Sequence, residues 1–92
     1  MKVVIAPSAY KTLSKAPNHV QRKFEEWVRQ LDAMGLQRTS QQKGWHDEPL
    51  KGSRKGQRSI RLNNQWRAIY TIEQHQLYCH VLEVTPHDYR TR

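Results

Sequence analysis

Hydrophobic and polar positions divide the chain into segments of different period. Lys2 to Ala6, KVVIA, is a short β-branched run stopped by Pro7, which predicts a first strand buried on both faces. Ser8 is placed to cap a short helix over about residues 9–15, with Tyr10 and Leu13 three apart on its inner side, before Pro17 breaks it. Val20, Phe24, Trp27, Val28, Leu31 and Met34 then recur at helical spacing and make one face apolar, and Gly35 supplies a left-handed stop. Leu36 to Gly44 is polar and without period, a loop or a poorly formed helical extension.

The second half reads as strands. RSIRL at Arg58 to Leu62 and WRAIY at Trp66 to Tyr70 alternate around Asn63, Asn64 and Gln65, which predicts a β-hairpin. One asparagine at positive φ in that loop would set Arg61 opposite Arg67. Leu77 to Val84 is apolar on both faces and predicts a central strand ended by Thr85 and Pro86, with a polar tail, HDYRTR, held next to the sheet. The order β, α, α and then three strands gives an α+β fold: a small, mainly antiparallel sheet of about four strands with two N-terminal helices packed on one face.

Ninety-two residues with 36% hydrophobic content and three tryptophans fit one domain spanning residues 1–92. The lone cysteine, Cys79, has no disulfide partner within the chain and sits in an apolar run, which suits packing in a reducing compartment. Ser8, Lys11 and Ser14 interrupt the start before any signal peptide or membrane span can form, so a soluble, cytoplasmic protein with no membrane partner is expected.

Charge sharpens the picture. The formal net charge is +8, from 16 basic and 8 acidic residues, which favours nucleic acid or an acidic protein over a small neutral ligand. Lys51, Arg54, Lys55, Arg58, Arg61 and Arg67 occupy one segment that contains no Asp or Glu. Two guanidinium groups facing each other repel unless an anion bridges them, so the Arg61–Arg67 pair predicts a phosphate or carboxylate ligand. The five histidines and Cys79 lack metal-ligand spacing, and GSRKG lacks the ending of a phosphate-binding P-loop, so neither metal nor cofactor is expected.

Arg61, Arg67 and the tail residues His87, Asp88 and Tyr89 together provide what metal-free RNA cleavage requires. RNA carries its own nucleophile, the 2′-hydroxyl; the protein has to orient it, take its proton, stabilise the phosphorane and protonate the 5′-oxygen. The arginines suit the phosphorane and His87 suits acid or base. Asp88 suits orienting a cation or sharing the proton, and Tyr89 suits stacking or orienting the phosphate. Glu48 is either a further base or the partner of a local ion pair with Lys51. As alternatives, His87 would be a solvated tail residue and Tyr89 a packing residue.

These same residues carry a resemblance. EPLKG at Glu48 to Gly52, RSIRL, WRAIY and the closing EVTPHDY at Glu83 to Tyr89, taken in this order behind a strand and a helix pair, resemble the RelE/ParE superfamily of toxin–antitoxin toxins. HigB-type and RelE/StbE-type members are the most similar. The resemblance implies a RelE-like fold and a type II toxin that enters the ribosomal A site, cuts translated mRNA without a metal and is neutralised by a cognate antitoxin. It implies phosphate or transition-state contacts for Arg61 and Arg67, acid–base or stacking roles for His87, Asp88 and Tyr89, and ribosomal RNA contacts for Lys51, Arg54 and Lys55, with Arg58 in the same basic surface. Arg90 and Glu48 stand where HigB-type toxins often carry histidines, which leaves His87 as the replacement, and Ser59 stands where RelE sheets carry lysine. A ParE-like gyrase inhibitor would share the fold but has no use for the HDY cluster. A plain RNA-binding module would need its aromatic residues exposed on the sheet.

Overall fold

The computed structural model describes residues 1–73 and 78–86. Strand β1 (Lys2–Ile5) is followed by helices α1 (Pro7–Lys15) and α2 (Asn18–Ser40), and then by strands β2 (Glu48–Pro49), β3 (Arg58–Arg61), β4 (Trp66–Glu73) and β5 (Tyr78–Pro86). They form one five-stranded mixed sheet in the order β1-β5-β4-β3-β2. The sheet thus has one strand more than the sequence predicts, the short β2, and one parallel pair, β1 with β5. The remaining pairs are antiparallel. Among the described residues no helix is long and apolar enough to cross a membrane.

Several sequence expectations are corrected. Among the described residues strand β1 is an edge strand flanked by β5 alone, and its residues are exposed or half-buried. Ser8 does not cap α1: Pro7 occupies the first helical turn with Ala6 at the cap position, its fixed φ starting the helix without a side-chain acceptor. Ser8 lies inside the helix, and its carbonyl accepts a hydrogen bond from the Thr12 hydroxyl at 3.1 Å. The inner face of α1 is set by Ala9 and Leu13, four apart, while Tyr10 is 63% exposed.

Helix α2 carries the core. Val20, Phe24, Trp27 and Leu31 are buried, and the Trp27 ring lies 5.9 Å from that of Phe24 and 5.1 Å from that of Tyr70 on β4. Gly35 does break the helix, at φ 82° and ψ 169°, but the chain turns back into helix as far as Ser40. The break is one that a residue with a Cβ would resist.

Facing α2, the sheet contributes Ile60, Leu62, Ala68, Tyr70, Cys79, Val81 and Val84. Val81 and Val84 are three apart, yet both point inward, because Tyr70 pairs with Val81 and Ile69 with Glu83, leaving Leu82 as an extra residue. This bulge explains why β5 reads as apolar on both faces. Burial pushes the Cys79 thiol up to about 12, so the thiolate fraction in the folded protein is far below that of a free cysteine. At pH 8 a thiol reagent is expected to label folded protein at least about 10³ times more slowly than urea-unfolded protein. Equal rates in both solutions would mean that β5 opens freely.

Candidate functional site

Residues directly opposite one another in a sheet share a face, and the register places the notable side chains in two rows on the face away from the helices. Glu48, Ser59, Ile69 and Glu83 form one row; Arg61, Arg67 and Thr85 form the other. The predicted Arg61–Arg67 pairing is thus present, although no asparagine of the loop has positive φ. The Asn63 side-chain oxygen closes the turn instead, accepting the amides of Gln65 and Trp66, each at 2.7 Å.

Each arginine donates to neutral groups. Arg67 Nε donates to the Ser59 hydroxyl, and its Nη2 lies 3.4 Å from the His46 carbonyl. Arg61 Nη2 donates to the Asn64 side-chain oxygen, and its Nη1 lies 3.1 Å from His46 Nε2. Because a guanidinium only donates, Nε2 is the acceptor in that contact and the ring proton sits on Nδ1. His46 is therefore a third member of this cluster, and one that the sequence pattern does not single out. It is exposed and is the one described non-glycine residue at positive φ, 46°.

The cation loop does not present a uniform basic surface. Arg54 reaches Glu83 on β5 at 2.5 Å and Gln57 at 3.1 Å, so the loop is tied across the outer face. Thr71 Oγ1 donates to the Gly56 carbonyl at 3.4 Å on the same side. Lys51 and Lys55 are exposed. No ion pair joins Glu48 to Lys51, and Glu48 stands in the Ser59 row. His87, Asp88 and Tyr89 lie outside the described residues. Among the described residues, no group of three or more His, Cys, Asp or Glu side chains is arranged to hold a metal ion.

The sequence matches no family model and no curated protein sequence. Its architecture, in contrast, matches solved structures over almost the whole chain. The YoeB/ParE toxin from Agrobacterium tumefaciens superposes with a TM-score of 0.75 at 22% identity, over 96% of this chain and 100% of that one. YafQ from E. coli strain BL21(DE3) gives 0.73 at 17%, over 92% and 91%. The archaeal RelE–RelB complex from Pyrococcus horikoshii OT3 gives 0.72 at 20%, over 96% of each chain. The chain has the RelE/ParE toxin fold.

On the helix side of this RelE-like sheet lies a second polar cluster, and Arg58 belongs to it. Arg58 Nε donates to Asp47 Oδ1 at 2.6 Å, and the Tyr70 hydroxyl donates to Asp47 Oδ2 at 2.6 Å. The Asp47 carboxylate is fully buried. Burial, reinforced by the Asp47 hydrogen bond and charge, pushes the Tyr70 hydroxyl far above its ordinary range, so it remains a donor. Burial alone would lower the Arg58 guanidinium, but its contacts with Asp47 and Tyr70 outweigh that and raise it. A cleft of about 760 Å³ adjoins this cluster, lined by Met34, Gly35, Leu36, Arg38, Arg58 and Tyr70. It lies across the sheet from the arginine pair. The structure thus brings Arg61 and Arg67 together and sets Arg58 and Arg54 apart, each with a carboxylate of its own.

Proposed function

We propose that this chain is the toxin of a type II toxin–antitoxin system and acts as a ribosome-dependent endoribonuclease on translated mRNA. The observation that carries the reading is the juxtaposition of Arg61 and Arg67 on paired strands, with neutral partners at Arg61 and with His46 between them. Such a pair fits a phosphate, and its rigid backbone suits a phosphorane better than a passing anion. In the reaction the 2′-oxygen attacks phosphorus, the bond to the 5′-oxygen breaks, and a cyclic phosphate and a 5′-hydroxyl result. Arg61 and Arg67 offset the charge gained by the phosphoryl oxygens. His87, Asp88 and Tyr89 serve proton transfer and base stacking from the tail, and Glu48, in the Ser59 row, is a further proton acceptor.

A cognate antitoxin follows from the same reading. The superposed YoeB–YefM structure from Staphylococcus aureus is a toxin–antitoxin complex and the superposed archaeal RelE is in complex with RelB, and a chain of net charge +8 favours an acidic partner segment over the Lys51–Arg67 surface. The test is purified protein in a reconstituted translation reaction. Cleavage of translated mRNA and sparing of naked RNA are expected; intact mRNA together with slowed DNA gyrase would overturn the reading in favour of a ParE-like inhibitor.

Lys51 and Lys55 are expected to dock the protein on ribosomal RNA. Replacing both by alanine is expected to weaken ribosome binding, and to lower the slope of log affinity against log salt by roughly 1.4–1.8 if each lysine neutralises one phosphate. The single-turnover rate of bound complexes is expected to stay within about threefold of wild type, because neither lysine lies in the Arg61 row.

A further inference from the structure

His46 and Asp47 are neighbours in sequence, yet they serve opposite sides of the sheet. The chain crosses the β3 edge between them, just before β2. Asp47 is fixed on the helix side by Arg58 and Tyr70. On the other flank of His46, Trp45 is buried against α2, with its indole Nε1 donating to Gln30 Oε1 at 2.9 Å and with Lys23 Nζ 4.8 Å from its ring centroid. Between these two anchors His46 is exposed and left-handed, with φ 46° and ψ 51°.

That conformation is unfavourable for a residue with a Cβ, and it persists where the surroundings over-determine it. Here the surroundings are two buried side chains, one on each flank. Their joint effect is to turn the imidazole towards Arg61 and the backbone carbonyl towards Arg67. The contact from Arg61 also selects the tautomer in which Nε2 carries a lone pair, the form able to receive a proton. A phosphate that draws Arg61 towards itself would free that lone pair beside the 2′-hydroxyl.

We infer that His46 is a proton acceptor in RNA cleavage and that Asp47, clamped on the reverse face by Arg58 and Tyr70, is the residue that positions it. This rests on the nuclease reading above. In the step assigned here, Nε2 takes the 2′-hydroxyl proton while the 2′-oxygen bonds to phosphorus. As the bond from phosphorus to the 5′-oxygen breaks, that oxygen takes a proton from water. The Asp47 carboxylate touches no substrate; its work is to hold the turn.

Single-turnover cleavage by ribosome-bound protein tests the assignment with His46→Gln, Asp47→Asn and the double variant. His46→Gln is expected to lower the rate about 10²-fold, within the range for a proton-transfer group, with ribosome affinity unchanged. Asp47→Asn keeps the size of the side chain and an oxygen for Tyr70; it is expected to lower the rate about tenfold, again without loss of affinity. If Asp47 acts through His46, the double variant is no slower than His46→Gln alone. Multiplying effects would overturn the positioning role, and an unchanged rate in His46→Gln would overturn the acceptor role. Tyr70→Phe, which keeps the ring in the core, provides a second probe of the clamp and is expected to follow the same pattern.

A readout independent of cleavage is the NMR signal of the His46 ring, titrated with inorganic phosphate. In the wild type it is expected to shift as phosphate engages Arg61, and in Asp47→Asn the starting position and the response are both expected to change. A His46 signal that ignores phosphate, or one identical in Asp47→Asn, would overturn the inference. A wild-type chain that cuts no mRNA but shows both spectral effects would overturn the nuclease reading while leaving the positioning of His46 intact.

Discussion

Replacing Arg67 by alanine is expected to lower the single-turnover rate of mRNA cleavage by on the order of 10²–10³, a loss of roughly 2–4 kcal/mol of transition-state stabilisation, while ribosome affinity stays near wild type. The asymmetry follows from where the cations sit. Arg67 is on β4, the second strand of the hairpin and hydrogen-bonded to strands on both sides, and its guanidinium is steadied by the Ser59 hydroxyl and the His46 carbonyl. A group held in that way can meet a charge that develops only in the transition state. Lys51 and Lys55 are exposed on the loop between β2 and β3 and can follow an RNA groove without fixing one phosphate. Parallel measurements of binding and of single-turnover cleavage separate the two cases. An Arg67→Ala protein that failed to bind, yet cleaved at the normal rate once bound, would remove Arg67 from the chemistry.

The residues behind this prediction were partly legible in the sequence. The Arg61–Arg67 pairing could be read because the polar turn between two alternating runs leaves little choice of register, even though Asn63 closes it with its side chain instead of a left-handed backbone. The apolar face of α2 and its break at Gly35 were legible for the same local reason: spacing and a residue without a Cβ. Charge was read less well. Arg54 and Arg58 belong to an unbroken cationic run in sequence, but their acidic partners are 29 and 11 residues away, and only the folded sheet brings Glu83 and Asp47 to them. A run of like charge cannot show which members are neutralised by contacts distant in the chain.

His46 was missed for a related reason. Its significance lies in a chain crossing at the sheet edge and in two buried neighbours, neither of which leaves a periodic trace. One signal was available: Trp45 and Asp47, an aromatic residue and an acid, flank a histidine immediately before the extended Glu48–Pro49 segment. The parallel β1–β5 pair was equally hidden, since β1 is short and its partner lies at the other end of the chain. The tail residues His87, Asp88 and Tyr89 enter the proposal through sequence resemblance and chemistry alone.

The largest expected effect on stability belongs to Trp27. Its side chain is fully buried in α2 and contacts both Phe24 and Tyr70, so it joins the helix to the middle of the sheet. Replacing it by alanine removes a large apolar side chain and leaves a cavity that close-packed neighbours fill only in part, a cost of about 3–5 kcal/mol. Against a total of roughly 5–14 kcal/mol for a domain of this length, that is a large share of what keeps it folded. The urea midpoint is expected to fall by at least about 1 M, with Trp27→Phe losing distinctly less because an aromatic ring remains against Tyr70. The consequence reaches the site as well. Tyr70 presents its hydroxyl to Asp47 from the same ring that Trp27 packs against, so a Trp27→Ala protein that stays folded in the cold is expected to bind ribosomes yet cleave slowly. A loss below about 0.5 kcal/mol would be typical of a surface position and would contradict the continuous helix-to-sheet core on which the placement of Asp47 depends.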